Sequence, residues 1–347
     1  MKTKSKAMKA FLGSFAAVVI IVAAIGYGVF GVSPWPSALY VRRAMDQGGV
    51  EIAQALEKHV PAGIVARRNE QYSENDPDAY LDVFSPSQAD KALPAIVWVH
   101  GGGWLAGSKD HIANYLMVLA ARGYATVGVN YALSPEKTYP TPVKQLNAAL
   151  GYIASNAARL HVDPSRFFLA GDSSGAQIAA QMAAIISEPS YAKVMDIAPS
   201  IDRAQLRGII LYCGLYDGVA LRGAKLSWTL KTQLWAYFGT RDALNDRRLE
   251  EFSVAQHLTS RFPPMFISVG NADWLTPQSL RFAEAASTLG VAVDRLFFAA
   301  DHTPPLGHEF QFDLDADSSR LALERSIKFL EDRKFPEDRK FLEDRLR

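Results

Sequence analysis

Short unbroken apolar runs alternate with longer helical segments along most of this chain, and that alternation limits the folds open to it. Residues 94–99 (PAIVWV), 125–129, 167–170, 208–212 and 265–269 read as strands without a polar face, as strands covered on both sides do. Residues 80–84 read as an edge strand and 295–298 as the last strand. Segments 112–122, 142–160, 176–186, 277–289 and 318–330 have helical patterning. The expectation is an α/β fold with a mostly parallel central sheet and helices on both faces. A length of 347 residues suits one large domain or two smaller ones.

The flanks read differently. Lys2, Lys4, Lys6 and Lys9 precede an uncharged run over residues 10–32. As a helix that run would be about 34 Å long, enough to cross a bilayer core. Residues 1–33 are therefore expected to be an uncleaved membrane anchor. A cleaved signal peptide is the alternative, but Ser33-Pro34-Trp35-Pro36 is a poor cleavage site. Lysines ahead of the span would stay cytoplasmic and put the rest of the chain outside, with a secreted or periplasmic protein as the alternative. Residues 34–78 read as linker and cap helices, broken at Gly48-Gly49. The main α/β domain is expected over 79–333, with a lid insertion at about 217–262 where the alternation lapses. An ordinary packed helix pair remains equally open there. From Lys328 the chain repeats KFLEDR, KFPEDR, KFLEDR, and 334–347 reads as a charged tail.

Chemistry concentrates at two glycine-rich stretches. Gly171-Asp172-Ser173-Ser174-Gly175 follows the strand at 167–170 and precedes a helix. A serine at such a junction stands on a sharp turn where only glycines fit around it. Its hydroxyl needs a base, a group to hold that base, and donors for the oxyanion that forms. Ser174 would offer a backbone N–H there. His100-Gly101-Gly102-Gly103-Trp104 follows the strand at 94–99, and its glycines let N–H groups turn toward a ligand. A phosphate-binding loop is the other reading, but the P-loop lysine and Ser/Thr are missing, and so is the G-x-G-x-x-G spacing. His100 is expected to pack behind the loop.

These two motifs, with NYALSPE at 130–136, YP at 139–140, the carboxylate in GNADWL and HEF at 308–310, resemble the α/β-hydrolase fold. Within it, the resemblance is to the hormone-sensitive-lipase-like esterases, and it covers roughly residues 80–330. The family usually has arginine where Ala132 stands, often aspartate where Gln145 stands, and more often alanine at 174. Chain order in such enzymes is Ser, then Asp or Glu, then His. Asp273, just past a late strand, is then the orienting carboxylate, with Asp217 the alternative and better read as a turn residue. His308 matches the family's H-x-F and is preferred over His302 as base. The resemblance implies an acyl-enzyme mechanism on short to medium acyl or aryl esters. Ser173 would be the nucleophile, with Gly101, Gly102 and Ser174 as oxyanion donors. Trp104 is expected to contact substrate, and Trp228, Trp235 and Phe238 could line an apolar entrance with it.

Alternatives are an amidase or arylformamidase of the same fold, and an inactive membrane-tethered binding protein. The net charge of +1 and scattered basic residues argue against a nucleic-acid partner. Cys213 is the only cysteine, so an intramolecular disulfide and a thiolate zinc cluster are excluded; it reads as a buried core thiol. No metal or organic cofactor is expected. The expected partners are a small-molecule ester and, through the N-terminal helix, a membrane.

Overall fold

A computed structural model describes residues 31–334 together with the isolated Phe15. Eight strands form one sheet: β1 (Ile64–Gln71), β2 (Tyr80–Pro86), β3 (Leu93–Val99), β4 (Ala125–Val129), β5 (Val162–Asp172), β6 (Leu206–Tyr212), β7 (Met265–Val269) and β8 (Val293–Phe297). Their spatial order is β1-β2-β4-β3-β5-β6-β7-β8. The strands from β4 through β8 run parallel, and β1 and β2 add an antiparallel margin.

Ten α-helices accompany the sheet in the described residues: α1 (Trp35–Leu56), α2 (Ala113–Ala120), α3 (Thr141–Ser155), α4 (Ala157–Leu160), α5 (Ser173–Ser187), α6 (Pro189–Met195), α7 (Trp228–Phe238), α8 (Arg248–Phe252), α9 (Thr276–Thr288) and α10 (Asp317–Lys334). The pleat of β3 divides the core. Val97 and Val99 join one cluster with Leu146 of α3, Ile178 of α5 and Phe282 of α9. Ile96 and Trp98 face the other way, among Tyr115 and Leu119 of α2 and Phe329 and Leu330 of α10. Both faces of the central strands are thus dry, which is why they carry no alternating polar residues.

Several boundaries differ from the sequence reading. Residues 80–84 are not the edge: β1 lies outside them, within the stretch read as linker and cap helices. β1 is IVARRNEQ, mostly exposed and irregular between Arg67 and Glu70. An outer strand needs backbone partners on one side only and no apolar alternation. The expected break at Gly48-Gly49 does not occur either, because α1 runs through both glycines. A Cβ on Gly49 would lie 2.3 Å from Nδ1 of His111. That glycine lets the helix approach a side chain closely. The helix read at 142–160 splits at Asn156 into α3 and α4.

The anchor read over 10–32 lies outside the described residues except for Phe15, Gly31 and Val32, and so does the tail beyond Lys334. Among the described residues no helix is long and apolar enough to cross a membrane. The first KFLEDR copy continues α10.

Candidate active site

The parallel strands end along one edge of the sheet, where their loops converge. β3 delivers His100 and the glycine loop, β5 delivers Ser173, β7 leads to Asp273, and the loop after β8 carries His308. At Ser173 the chain turns from strand into α5 with a φ of +51°, a conformation uncommon for a residue with a Cβ. The flanking glycines make the turn feasible. A Cβ on Gly175 would sit 2.0 Å from the Val99 carbonyl oxygen, and one on Gly171 would sit 2.6 Å from the Gly175 carbonyl carbon.

Three of the predicted side chains meet. His308 Nε2 lies 2.8 Å from Ser173 Oγ, and His308 Nδ1 lies 2.8 Å from Asp273 Oδ2. The other Asp273 oxygen accepts the Leu275 N–H at 2.8 Å. The Asp273 carboxyl group is fully buried, while the His308 ring is partly open to solvent. An imidazole held this way can take the serine proton through Nε2 while Asp273 fixes the Nδ1 proton.

Burial opposes a charge on His308, while the Cys213 sulfur and the Asp273 carboxylate favour it; the net direction is well above the usual histidine range. Burial also pushes the Cys213 thiol up, so the thiol is neutral near pH 7. The Asp273 hydrogen bond and the nearby Glu309 charge are the other groups that raise the His308 pKa. Cys213 is the core thiol expected from its run, and it stands at a φ of +44° where β6 ends. Its sulfur also belongs to the site: ligand-type atoms of Cys213, Asp273 and His308 lie within 4.8 Å of one another.

Other candidates stay apart. His302 Nε2 lies 3.2 Å from Ser318 Oγ, and its ring packs near Phe298. Asp217 accepts the Ala220 N–H at 3.1 Å as a turn residue. His100 stacks on Tyr131 with centroids 4.4 Å apart, and its Nδ1 lies 2.7 Å from the Gly101 carbonyl oxygen. Burial pushes its pKa down to about 4, so it is neutral and lies behind the loop.

One predicted donor is corrected. The Gly101 N–H donates to Asp172 Oδ2 at 2.7 Å, so it is not free to meet an oxyanion. The N–H groups of Gly102 and Gly103 have no acceptor among the described residues. Ser174 lies in the first turn of α5, where N–H groups lack intrahelical partners. Asp172 also accepts Trp98 Nε1 at 2.7 Å. Burial and the nearby Glu309 charge push the Asp172 carboxyl well up.

A cavity of about 590 Å³ opens beside Ser173. Trp104, Leu215, Leu230, Trp274 and Leu275 give it an apolar lining. Leu221, Leu226 and Gln233 come from the insertion expected at 217–262, so that insertion forms part of the wall. Trp104 is buried, stacked on Tyr237 with centroids 4.9 Å apart. The other three aromatics proposed for an entrance do not line this cavity. Trp228 and Trp235 border a neighbouring one, and Phe238 is buried among Tyr139, Tyr237 and Phe252. Met45, Gln233 and Trp274 were missed; they come from three separate segments with no shared spacing. Gln145, one of the departures from the family pattern, accepts the Ala132 N–H at 2.8 Å and donates to Asp76 at 2.6 Å.

Comparison with known proteins finds esterases and a family model. A family model described as BD-FAE matches residues 81–285. The chain is 28% identical over 252 residues to an esterase of Gibberella moniliformis, covering 70% of this chain and 76% of that protein. It is 35% identical over 242 residues to the carboxylesterase NlhH of Mycobacterium tuberculosis, covering 62% and 68%. The fold superposes on esterase B from Lactobacillus rhamnosis with a TM-score of 0.73 at 21% identity, covering 88% of this chain and 98% of that one.

Proposed function

Because this chain belongs to the BD-FAE family, among the α/β-hydrolase esterases, we propose that it hydrolyses carboxylic esters through an acyl-enzyme on Ser173. The observation that carries the proposal is the pair of 2.8 Å contacts joining Ser173, His308 and Asp273. As Ser173 Oγ attacks the ester carbonyl, His308 Nε2 takes its proton. Asp273 holds the Nδ1 proton and stabilises the imidazolium. The N–H groups of Gly102, Gly103 and Ser174 receive the oxyanion, each contributing roughly 3 kcal/mol at the barrier. His308 returns the proton to the leaving alcohol. Water then repeats the sequence on the acyl-enzyme and frees the acid.

The cavity volume and apolar lining suit short to medium acyl or aryl groups. Trp104 forms part of the wall that such a group would touch. The segment at 217–262 acts as a lid that completes the pocket. The lysines and apolar run at the N-terminus support a catalytic domain held outside the cytoplasm. A chain-length series of p-nitrophenyl esters tests the reading. Saturable turnover with an acyl-length optimum is expected, and turnover of arylformamides alone would overturn it.

A further inference from the structure

Trp35, Leu39 and Tyr40 of α1 are 43%, 47% and 70% exposed, and Trp228 at the start of α7 is 54% exposed. The Tyr40 and Trp228 rings meet edge-on at 6.2 Å, so the two helices present adjoining aromatic surface. Large exposed apolar residues brought together mark a surface that meets something. Residues 31–45 and 225–241 contain no Asp or Glu, yet they hold Arg42, Arg43, Lys225, Lys231 and Arg241. Arg43, Lys225 and Lys231 are exposed, and none is ion-paired among the described residues.

Two further observations say what covers this patch. The uncharged run 10–32 ends beside it: the Gly31 carbonyl accepts Arg241 Nη1 at 3.0 Å, four residues before α1 begins. The cavity beside Ser173 opens on the same segment, because Lys225, Ser227 and Thr229 are exposed cavity-lining residues that flank Trp228. Tryptophan and tyrosine mixed with lysine and arginine, next to an apolar run long enough to span a bilayer, is the composition of a membrane–water interface.

We propose that the Tyr40–Trp228 face rests on a lipid bilayer, with the cavity mouth turned toward it. Esters whose apolar chains reside in the bilayer are then the favoured substrates. The substrate half of this inference rests on the hydrolase reading above; the surface itself does not.

The test uses the full chain in vesicles of phosphatidylcholine and phosphatidylglycerol with brominated acyl chains. Trp35 would be quenched by a tether alone, so Trp228 is the diagnostic residue. Quenching is expected, and Trp228→Phe should remove a clear part of it. Unchanged quenching in Trp228→Phe would overturn the proposal, as would a concentration-dependent dimer with an unquenched Trp228. The second arm compares esters in the variant Leu39→Ser/Tyr40→Ser. Turnover of a long-chain ester carried in vesicles should fall about tenfold, equal to about 1.4 kcal/mol, with p-nitrophenyl acetate turnover unchanged. Equal loss on both esters would overturn the substrate half. No ester turnover by the unaltered chain, with Trp228 still quenched, would sink the hydrolase reading and leave the surface standing.

Discussion

The Gly101 N–H is bound to Asp172: it lies 2.7 Å from Oδ2, inside the loop that the sequence suggested would hold an oxyanion. The opposite oxygen of the same carboxyl group takes Trp98 Nε1. One buried side chain therefore fixes both the end of β3 and the first turn of the glycine loop. Asp172→Ala would leave two buried donors without an acceptor. An unsatisfied buried donor costs about 1–3 kcal/mol, so the urea midpoint should fall with an unchanged slope. An unaltered midpoint would show that the loop does not depend on Asp172.

The two late histidines have opposite surroundings, and their variants should separate widely. His308→Ala removes the ring between Ser173 and Asp273. Loss of a base from such a relay lowers kcat on the order of a million-fold. His302→Ala removes contacts with Ser318 and Phe298, away from Ser173, and should leave kcat within about twofold, the scale of a surface change. Steady-state kinetics on one p-nitrophenyl ester checks both.

The rate should carry an acid limb at higher pH than an ordinary histidine gives. His308 must be neutral to accept the serine proton, and its pKa is raised. Activity is therefore absent below that pKa and rises as pH climbs through it. The midpoint in kcat/KM should lie above about 6.5, the unperturbed histidine value. Asp273→Asn removes the carboxylate bonded to Nδ1, so the midpoint should move down while kcat falls about ten-thousand-fold. A midpoint unmoved by that change would contradict the role given to Asp273.

The cavity wall should set acyl length. Leu230 is buried at the base of the insertion helix and lines the space beside Ser173. Leu230→Trp fills part of that space. The optimum of a p-nitrophenyl ester series should shift to shorter chains, with acetate turnover preserved. A uniform loss across the series would place the acyl group elsewhere.

Much of this architecture was legible because the central strands obey a simple rule. β3, β4, β6 and β7 are dry on both faces, so their apolar runs stood out without context. The turn at Ser173 was equally plain, since Gly171 and Gly175 lie where the backbone leaves no room for a Cβ. β1 was not legible, because an exposed outer strand is held by backbone bonds that polar side chains do not reveal. Gly49 misled for a related reason: a glycine in a helix can serve a close approach, and only His111 identifies which use applies. Spacing could not assign the oxyanion donors either. Three consecutive glycines look alike until Asp172 claims the first N–H. The cavity was the least legible part, since Met45, Gln233 and Trp274 come together only through the fold.

The most direct measurement of the central claim is intact-mass analysis after exposure to a fluorophosphonate. The account predicts one covalent adduct per chain, located on Ser173 by peptide mapping and absent from Ser173→Ala and His308→Ala. A folded chain that gains no adduct, or gains one on another residue with Ser173 unmodified, would contradict it.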